Sequence, residues 1–123
     1  MAQSQPTVVL VEDDDGLRGA VAGMLAASGF RVMPFATAEA AHAEAPWDTA
    51  ACVIVDVRLP RMSGLELLQR LPRRAAELPA IVFTADDRQA TRDAAARLGV
   101  SAYLQKPLHG RKIIAAVRAA VAR

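Results

Sequence analysis

The chain has 123 residues, of which 53% are hydrophobic and 4% aromatic, and its 15 basic and 13 acidic side chains leave a formal net charge of +2. This length predicts a single domain over residues 1–123 with a substantial core, and the small positive charge is only weak evidence for direct nucleic-acid binding. No apolar run could cross a membrane, Met1–Pro6 is too short and polar for a secretory signal, and the lone Cys52 rules out an internal disulfide, so we expect a cytoplasmic protein.

The first strand is predicted at Thr7–Val11, a run of β-branched and aliphatic residues typical of a strand buried on both faces. Three acids follow it directly: Glu12, Asp13 and Asp14. The apolar residues from Leu17 to Leu25 recur at helical spacing, which predicts a helix. Asp14 or Asp15 would cap its start, and Gly29 would end it in a left-handed conformation.

The second strand is predicted at Phe30–Phe35, where Pro34 favours an edge position because proline cannot donate a hydrogen bond to a neighbouring strand. Thr37 would cap an alanine-rich helix over Ala38–Ala45. The Pro46-Trp47-Asp48 segment would end that helix and lead into the next strand.

The third strand includes Val53–Val55 and leads straight into a single carboxylate, Asp56. A strand this apolar is typical of a parallel sheet, and such sheets bind ligands beyond the carboxyl ends of their strands, where Asp56 would lie. By itself, Asp56 could simply begin a turn. Ser63 and Gly64 then open a helix that Pro72 closes.

The fourth strand is predicted at Ala80–Thr84, followed by a helix over Arg88–Leu98 with Gly99 as its stop. The fifth strand is predicted at Val100–Gln105. A last helix runs from Leu108 onward and directs four aliphatic residues inward: Ile113, Ile114, Val117 and Val121.

Five repeats of strand then helix predict an α/β fold, a doubly wound five-stranded parallel sheet flanked by five helices. In the flavodoxin-like strand order 2-1-3-4-5, the first and third strands are neighbours. Glu12, Asp13 and Asp56 would then lie together at the carboxyl edge of the sheet. Carboxylates this close repel by about 4 kcal/mol per pair at an effective dielectric constant of about 20, so they must protonate or bind a cation.

The groups predicted at this edge indicate both a metal and a phosphoryl group. Oxygen ligands with room for water favour Mg²⁺, with Mn²⁺ as the alternative, and the backbone carbonyl of Arg58 is a further candidate ligand. Thr84 and Lys106 end the fourth and fifth strands, where a hydroxyl and an ammonium could bind phosphoryl oxygens. Each could alone be a helix cap or a surface charge, but together these groups predict a phosphoryl-transfer site.

This combination resembles the receiver domain of two-component response regulators, the CheY-like family, from about Thr7 to Val121. The motifs that carry the resemblance keep the order and spacing found in that family. They are Val8-Val9-Leu10-Val11-Glu12-Asp13-Asp14, Val53-Ile54-Val55-Asp56 followed by Leu59-Pro60 and Ser63-Gly64, Phe83-Thr84-Ala85, and Tyr103-Leu104-Gln105-Lys106-Pro107.

The resemblance implies a phosphorelay module, not an enzyme, with intrinsic self-phosphorylation and self-dephosphorylation. Asp56 would accept the phosphoryl group from the phosphohistidine of a sensor histidine kinase or a histidine phosphotransfer protein. Glu12 and Asp13 would hold magnesium together with Asp56. Lys106 would contact the phosphoryl group, and the bond from Lys106 to Pro107 would be cis.

The resemblance also implies a switch, with Thr84 as the switch hydroxyl and Tyr103 as the switch aromatic. Phosphorylation would change the face formed by the fourth helix, the fifth strand and the fifth helix, where an output domain, a partner protein or a second receiver in a homodimer would bind. No membrane contact is implied. Arg58 and Asp86 flank the path of the hydrolytic water in such domains, and we expect them to form an exposed ion pair that slows self-dephosphorylation.

The chain departs from the family pattern at three places. Asp14 extends the usual acid pair, and His109-Gly110 stands where a capping residue is more common. Gly99–Ala102 lacks the acidic pair of one dimerising subfamily, which argues against that particular dimer. Both a stand-alone receiver and part of a longer regulator fit the sequence.

Three rival functions make different demands on the sequence. A haloacid-dehalogenase-type phosphatase would need a second aspartate where Arg58 stands. A flavin- or nucleotide-binding module would need a phosphate-binding loop rich in glycine or hydroxyl residues in place of Glu12–Asp15. A degenerate receiver that is never phosphorylated stays an alternative, although every acceptor-site residue is present.

Overall fold

The computed structural model describes residues 5–122, so residues 1–4 and 123 of the expected domain lie outside it. Within that range, five strands alternate with five α-helices, and a short 3-10 helix precedes the fourth strand. The elements are β1 (Thr7–Val11), α1 (Asp15–Ala27), β2 (Arg31–Phe35), α2 (Ala38–Glu44), β3 (Ala50–Val55), α3 (Gly64–Gln69), the 3-10 helix (Arg73–Ala75), β4 (Ala80–Thr84), α4 (Gln89–Arg97), β5 (Ala102–Gln105) and α5 (Gly110–Val121). No helix among the described residues has the length and apolar character that a membrane span requires.

The five strands form one parallel sheet in the order β2-β1-β3-β4-β5, which confirms the predicted doubly wound α/β fold. β2 lies at an edge, as predicted from Pro34. At the carboxyl end of the sheet, Val11 of β1 pairs with Val55 of β3, and Val55 pairs in turn with Val82 of β4. The residues that follow β1 and β3 therefore leave the sheet side by side.

Alternate side chains of each central strand point to opposite faces of the sheet, so the apolar strands give it two apolar faces. Helices cover both of these faces. One face packs against α1 and α5 through a cluster that includes Leu10, Ile54, Leu25 and Ile113. The other face packs against α2 and α3 through a cluster that includes Val9, Val55, Ala41 and Leu67. Cys52 is fully buried in the first cluster, in agreement with its position in the apolar strand. Burial raises the pKa of its thiol to about 12.

Side-chain caps fix the helices that frame the site. Asp14, not Asp15, caps α1, since its carboxylate accepts a hydrogen bond from the Leu17 amide at 2.8 Å. Thr37 caps α2, and Ser63 caps α3 in a reciprocal arrangement with Glu66. These caps hold the starts of the helices close to the carboxyl edge of the sheet.

The chain after β4 differs from its predicted boundaries. β5 begins at Ala102 and not at Val100, because the Val100 amide donates to the carbonyl of Ala95 and so completes the end of α4. The last helix begins at Gly110, later than predicted, and its N-cap residue His109 makes no side-chain cap hydrogen bond. On its inner face Ala120 is buried with Ile113 and Val117, whereas Ile114 and Val121 are half-buried.

Candidate functional site

Three carboxylates meet at the carboxyl edge of the sheet. Glu12 and Asp13 follow β1, Asp56 follows β3, and one carboxylate oxygen from each lies within 4.8 Å of the others. The pairing of Val11 with Val55 brings them together, as the strand order predicted. Glu12 and Asp56 are buried and Asp13 is exposed, so the cluster opens to solvent on the Asp13 side.

Lys106 lies between the two buried acids. Its ammonium is 2.7 Å from Asp56 Oδ2 and 2.8 Å from Glu12 Oε1. Burial alone would lower the pKa of Lys106, but the two carboxylates outweigh that effect and raise it. Burial raises the pKa of Glu12, and the hydrogen bonds from Lys106 and from the Asp14 amide offset part of this rise. One ammonium therefore compensates two acids, and Asp13 adds a third negative group.

The donor set fits a hard divalent cation. Glu12 Oε1 is buried, and its one close polar partner among the described residues is the Lys106 ammonium at 2.8 Å. It therefore has lone pairs left for a metal. The cluster contains carboxylate oxygens and no sulfur or imidazole, which suits Mg²⁺ or Mn²⁺ better than zinc.

Asp56 is held from the backbone side by several contacts. Its amide donates to the Val11 carbonyl at 3.2 Å, and the Arg58 amide donates to Asp56 Oδ1 at 3.0 Å. A Cβ added to Gly64 would lie 2.1 Å from the Asp56 carbonyl oxygen, so the start of α3 rests directly on the Asp56 backbone. The carboxylate consequently has one oxygen bound by an amide and the other by Lys106.

Thr84 and Lys106 lie where the ends of β4 and β5 approach Asp56. The Thr84 side chain is fully buried, and its hydroxyl accepts a hydrogen bond from the Asp86 amide at 3.2 Å. The Thr84 carbonyl accepts the Lys106 amide at 2.8 Å, which joins the two strand ends. The bond between Lys106 and Pro107 is cis.

Tyr103 of β5 is half-buried at the edge of this site. Its hydroxyl donates a hydrogen bond to the backbone carbonyl of Asp86, and the guanidinium of Arg92 lies 4.5 Å from the centre of its ring. A groove of about 410 Å³ adjoins the ring, lined in part by Arg92, His109 and Lys112. Tyr103 therefore connects the loop after β4 with the face formed by α4, β5 and α5.

Asp86 is the centre of a second group of charges. Its carboxylate is 0% exposed and forms ion pairs with Arg88 at 2.8 Å and with Arg58 at 3.4 Å. Thr91 donates a further hydrogen bond at 3.1 Å. The Arg88 side chain, with the other donors, holds the pKa of Asp86 well below its usual range.

The structure corrects one expectation about this second group. Arg58 and Asp86 do form an ion pair, but it is not an exposed one, since only the Arg58 side chain, at 62%, is open to solvent. Sequence reasoning missed Arg88 and Thr91 as partners of Asp86. Their signal was local, an arginine two residues and a threonine five residues after the aspartate, but the same spacing is equally typical of side chains that contact only solvent.

Comparison with known proteins gives a consistent family assignment. The family model described as the response regulator receiver domain matches residues 8–118. The transcriptional regulatory protein FixJ of Azorhizobium caulinodans is 40% identical over 124 residues, covering 100% of this chain and 58% of FixJ. The sensory transduction protein RegX3 of Mycobacterium tuberculosis is 33% identical over 117 residues, covering 95% of this chain and 51% of RegX3. The chain thus spans little more than half the length of these relatives.

Solved structures agree with the sheet order and helix positions. The non-phosphorylated HemR receiver domain from Leptospira biflexa has a TM-score of 0.89 at 25% identity, with 97% of this chain and 96% of that chain covered. A CheY-like response regulator receiver domain protein from Methanospirillum hungatei has a TM-score of 0.88, covers 97% of this chain and 95% of its own, and at 22% identity supports the fold alone.

Proposed function

Because this chain belongs to the response regulator receiver domain family, and so to two-component signalling, we propose that Asp56 accepts a phosphoryl group from the phosphohistidine of a sensor histidine kinase or a histidine phosphotransfer protein. In this reaction an Asp56 oxygen forms a bond to phosphorus while the bond from phosphorus to the histidine nitrogen breaks. The imidazole of the donor leaves with the bonding electrons. The observation that carries the proposal is the position of Asp56, buried beside two further acids and one ammonium.

The acid cluster supports a metal-dependent reaction. Glu12, Asp13 and Asp56 would hold Mg²⁺, or Mn²⁺ in its place, and the backbone carbonyl of Arg58 would complete the protein ligands. The bound ion would neutralise charge on the phosphoryl oxygens. Lys106 would hold Asp56 in position and then bind a phosphoryl oxygen, since its ammonium already lies 2.7 Å from Asp56.

The switch we propose uses Thr84 and Tyr103. A phosphoryl group on Asp56 would attract the Thr84 hydroxyl, which now accepts a bond from the Asp86 amide. Movement of that loop would displace the Asp86 carbonyl, to which the Tyr103 hydroxyl donates. The face of α4, β5 and α5 would change with it and present a new surface to an output domain, a partner protein or a second copy.

We propose that this domain acts through protein partners and not by contacting nucleic acid or a membrane itself. FixJ and RegX3 are named as regulatory and signalling proteins, and the matched region covers only about half of each. A cytoplasmic location is part of this proposal. Small phosphodonors would also phosphorylate Asp56 without a kinase, because the acceptor site carries its own metal ligands and lysine.

The direct experiment is phosphorylation of the purified chain with acetyl phosphate and Mg²⁺, followed by intact mass spectrometry. The parent should gain the mass of one phosphoryl group, and Asp56→Asn should gain nothing. Asp93→Asn, which alters an exposed acid on α4, is the matched control and should behave as the parent. An unmodified parent, or an Asp56→Asn variant that still gains the mass, would contradict the proposal.

Arg58 and Asp86 are proposed to set the lifetime of the phosphorylated form. The two side chains lie beside Asp56, paired with each other before phosphorylation, and their bulk would hinder a water molecule that approaches the phosphorus in line. Phosphoryl loss should therefore be slow in the parent and faster in Arg58→Ala and Asp86→Ala, as followed by mass spectrometry over time. Equal rates in all three proteins would show that these residues do not control the water.

A further inference from the structure

The carboxylate of Asp86 joins two loops beside the acceptor site. Arg88, in the same loop as Asp86, donates two hydrogen bonds to this carboxylate, at 3.1 Å and 2.8 Å. The hydroxyl of Thr91 in α4 donates another at 3.1 Å. Arg58, in the loop after β3, forms an ion pair with the same carboxylate at 3.4 Å. The carboxylate is thus satisfied mainly within its own segment, and Arg58 is an additional partner from the other loop.

Arg58 is the least firmly held of these partners. Its contact with Asp86 is the longest of the four, and its side chain is 62% exposed, so the ion pair is screened by solvent on one side. If Arg58 left, Asp86 would keep both Arg88 and Thr91. Breaking a buried ion pair is costly when it leaves a buried charge without a partner. Detaching Arg58 avoids that cost, because the Asp86 carboxylate keeps its other partners.

Arg58 is also within reach of the acceptor. Its own amide lies 3.0 Å from Asp56 Oδ1, and an extended arginine side chain spans several ångströms beyond its backbone. Phosphorylation replaces the single negative charge of the Asp56 carboxylate with a phosphoryl group that carries about −1.5 to −2 charges. The nearby ammonium of Lys106 is already shared between Asp56 and Glu12. A planar guanidinium with several donors suits phosphoryl oxygens well.

We propose that Arg58 binds the phosphoryl group directly, exchanging the carboxylate of Asp86 for a phosphoryl oxygen on Asp56. This inference rests on the proposed function of Asp56 and adds a residue to its phosphoryl-binding set. The exchange removes the ion pair that joins the loop after β3 to the loop after β4. Asp86, Arg88 and Thr91 stay bound to one another and can then move as a unit, together with the Tyr103 hydroxyl on the Asp86 carbonyl.

The first test observes the arginine side chains by NMR in the whole chain labelled with ¹⁵N-arginine, with and without beryllofluoride and Mg²⁺. Arg58→Lys and Arg88→Lys identify the two Nε–H signals. The Arg58 signal should shift and exchange more slowly with water when beryllofluoride binds. The Arg88 signal should stay in place, because its bonds to Asp86 persist. An unmoved Arg58 signal in a protein that has bound beryllofluoride would overturn the inference.

The second test measures the apparent affinity for beryllofluoride by the ¹⁹F NMR signal of the bound group. Arg58→Gln should bind about tenfold more weakly, the effect of losing one charge-assisted hydrogen bond. Arg61→Gln is the matched control, because Arg61 is an exposed arginine in the same loop as Arg58. Its side chain pairs with Glu39, at 3.2 Å, and not with Asp86. This variant should bind as the parent does.

The outcomes separate this inference from the function on which it rests. If the parent binds no beryllofluoride, or Asp56→Asn binds it equally well, the proposed function fails and this inference fails with it. If the parent binds and Asp56→Asn does not, but Arg58→Gln matches Arg61→Gln, the acceptor site stands and the role given to Arg58 is wrong.

Discussion

Lys106 and Asp56 form a 2.7 Å ion pair although 50 positions separate them in the chain. The contact joins the end of β5 to the end of β3, and the same ammonium also compensates Glu12. A single side chain thus supplies the positive charge for two buried acids, which makes the site sensitive to its removal.

Replacing Lys106 with alanine should destabilise the metal-free protein by about 1–3 kcal/mol, because two buried carboxylates lose their counter-charge. Mg²⁺ should then stabilise the variant more than it stabilises the parent, since the cation takes over the compensation. Urea unfolding in EDTA and in saturating Mg²⁺ measures both effects. A stability difference from the parent that is unaffected by Mg²⁺ would contradict this account.

Asp13→Ala should abolish the rise in melting temperature that Mg²⁺ produces in the parent, while the fold stays intact. Asp13 is exposed, and its removal relieves repulsion from Glu12 and Asp56. The neighbouring Asp14→Ala is the control: it removes the cap on the Leu17 amide and should cost about 1 kcal/mol, yet keep the Mg²⁺ response. Thermal melts of the three proteins with and without Mg²⁺ make the comparison, and equal Mg²⁺ responses would argue against the metal site.

The same substitution at two glycines should have opposite effects. In Gly64→Ala the new methyl group would meet the Asp56 carbonyl oxygen at 2.1 Å and Val55 Cγ2 at 2.6 Å, which should cost about 2–3 kcal/mol. In Gly23→Ala it would meet nothing within 4 Å on an exposed face of α1, which should stabilise by about 0.5–1 kcal/mol. Chemical denaturation measures both. If Gly64→Ala matched the parent, the close contact between α3 and the Asp56 backbone would be refuted.

Asp86 should make the protein's stability depend on acidity. Its pKa is lowered in the folded state, chiefly by Arg88, so its contribution is fully present above the unfolded-state pKa of about 3.9 and is lost as the pH falls through the lower folded-state value. The melting temperatures of the parent and Asp86→Asn should therefore differ most near neutral pH and converge below about pH 4. Asp93→Asn should follow the parent throughout. A constant difference between the parent and Asp86→Asn down to the lowest pH would show that the ionised carboxylate is not the cause.

The sequence was sufficient to predict the fold and the members of the acid cluster. Each central strand is recognisable in the sequence as a short apolar run. A carboxylate or hydroxyl residue stands at the end of each run, as Asp56 does directly after Val55. Parallel strands bring such ends to one edge, so the closeness of Glu12 and Asp56 follows from strand order without knowledge of any side-chain conformation.

The Asp86 network could not be predicted in the same way. Whether Arg58, Arg88 or solvent meets that carboxylate depends on the path of two loops and on side-chain rotamers, which no periodicity records. The inner face of α3 shows a related limit: the apolar spacing after Ser63 and Gly64 points to Leu65, Leu68 and Leu71 as the helix's inner residues, while Leu67 is the leucine that is fully buried. In so short a helix, a shift of one residue, about 100° around the helix axis, is enough to exchange a buried residue for a half-buried one.

Helix α4 is less firmly anchored at its first turn than α3 is. It starts after Arg88 without a side-chain cap hydrogen bond, whereas α3 begins with a reciprocal cap. Each helix buries two of its described residues, but α4 has nine residues and α3 has six, so a smaller share of α4 is buried. The free energy needed to open α4 locally is correspondingly small. A helix that rearranges at low cost can fit partners of different shapes, so we expect the surface formed by α4, β5 and α5 to adapt to its partners more readily than the capped start of α3 beside the acceptor.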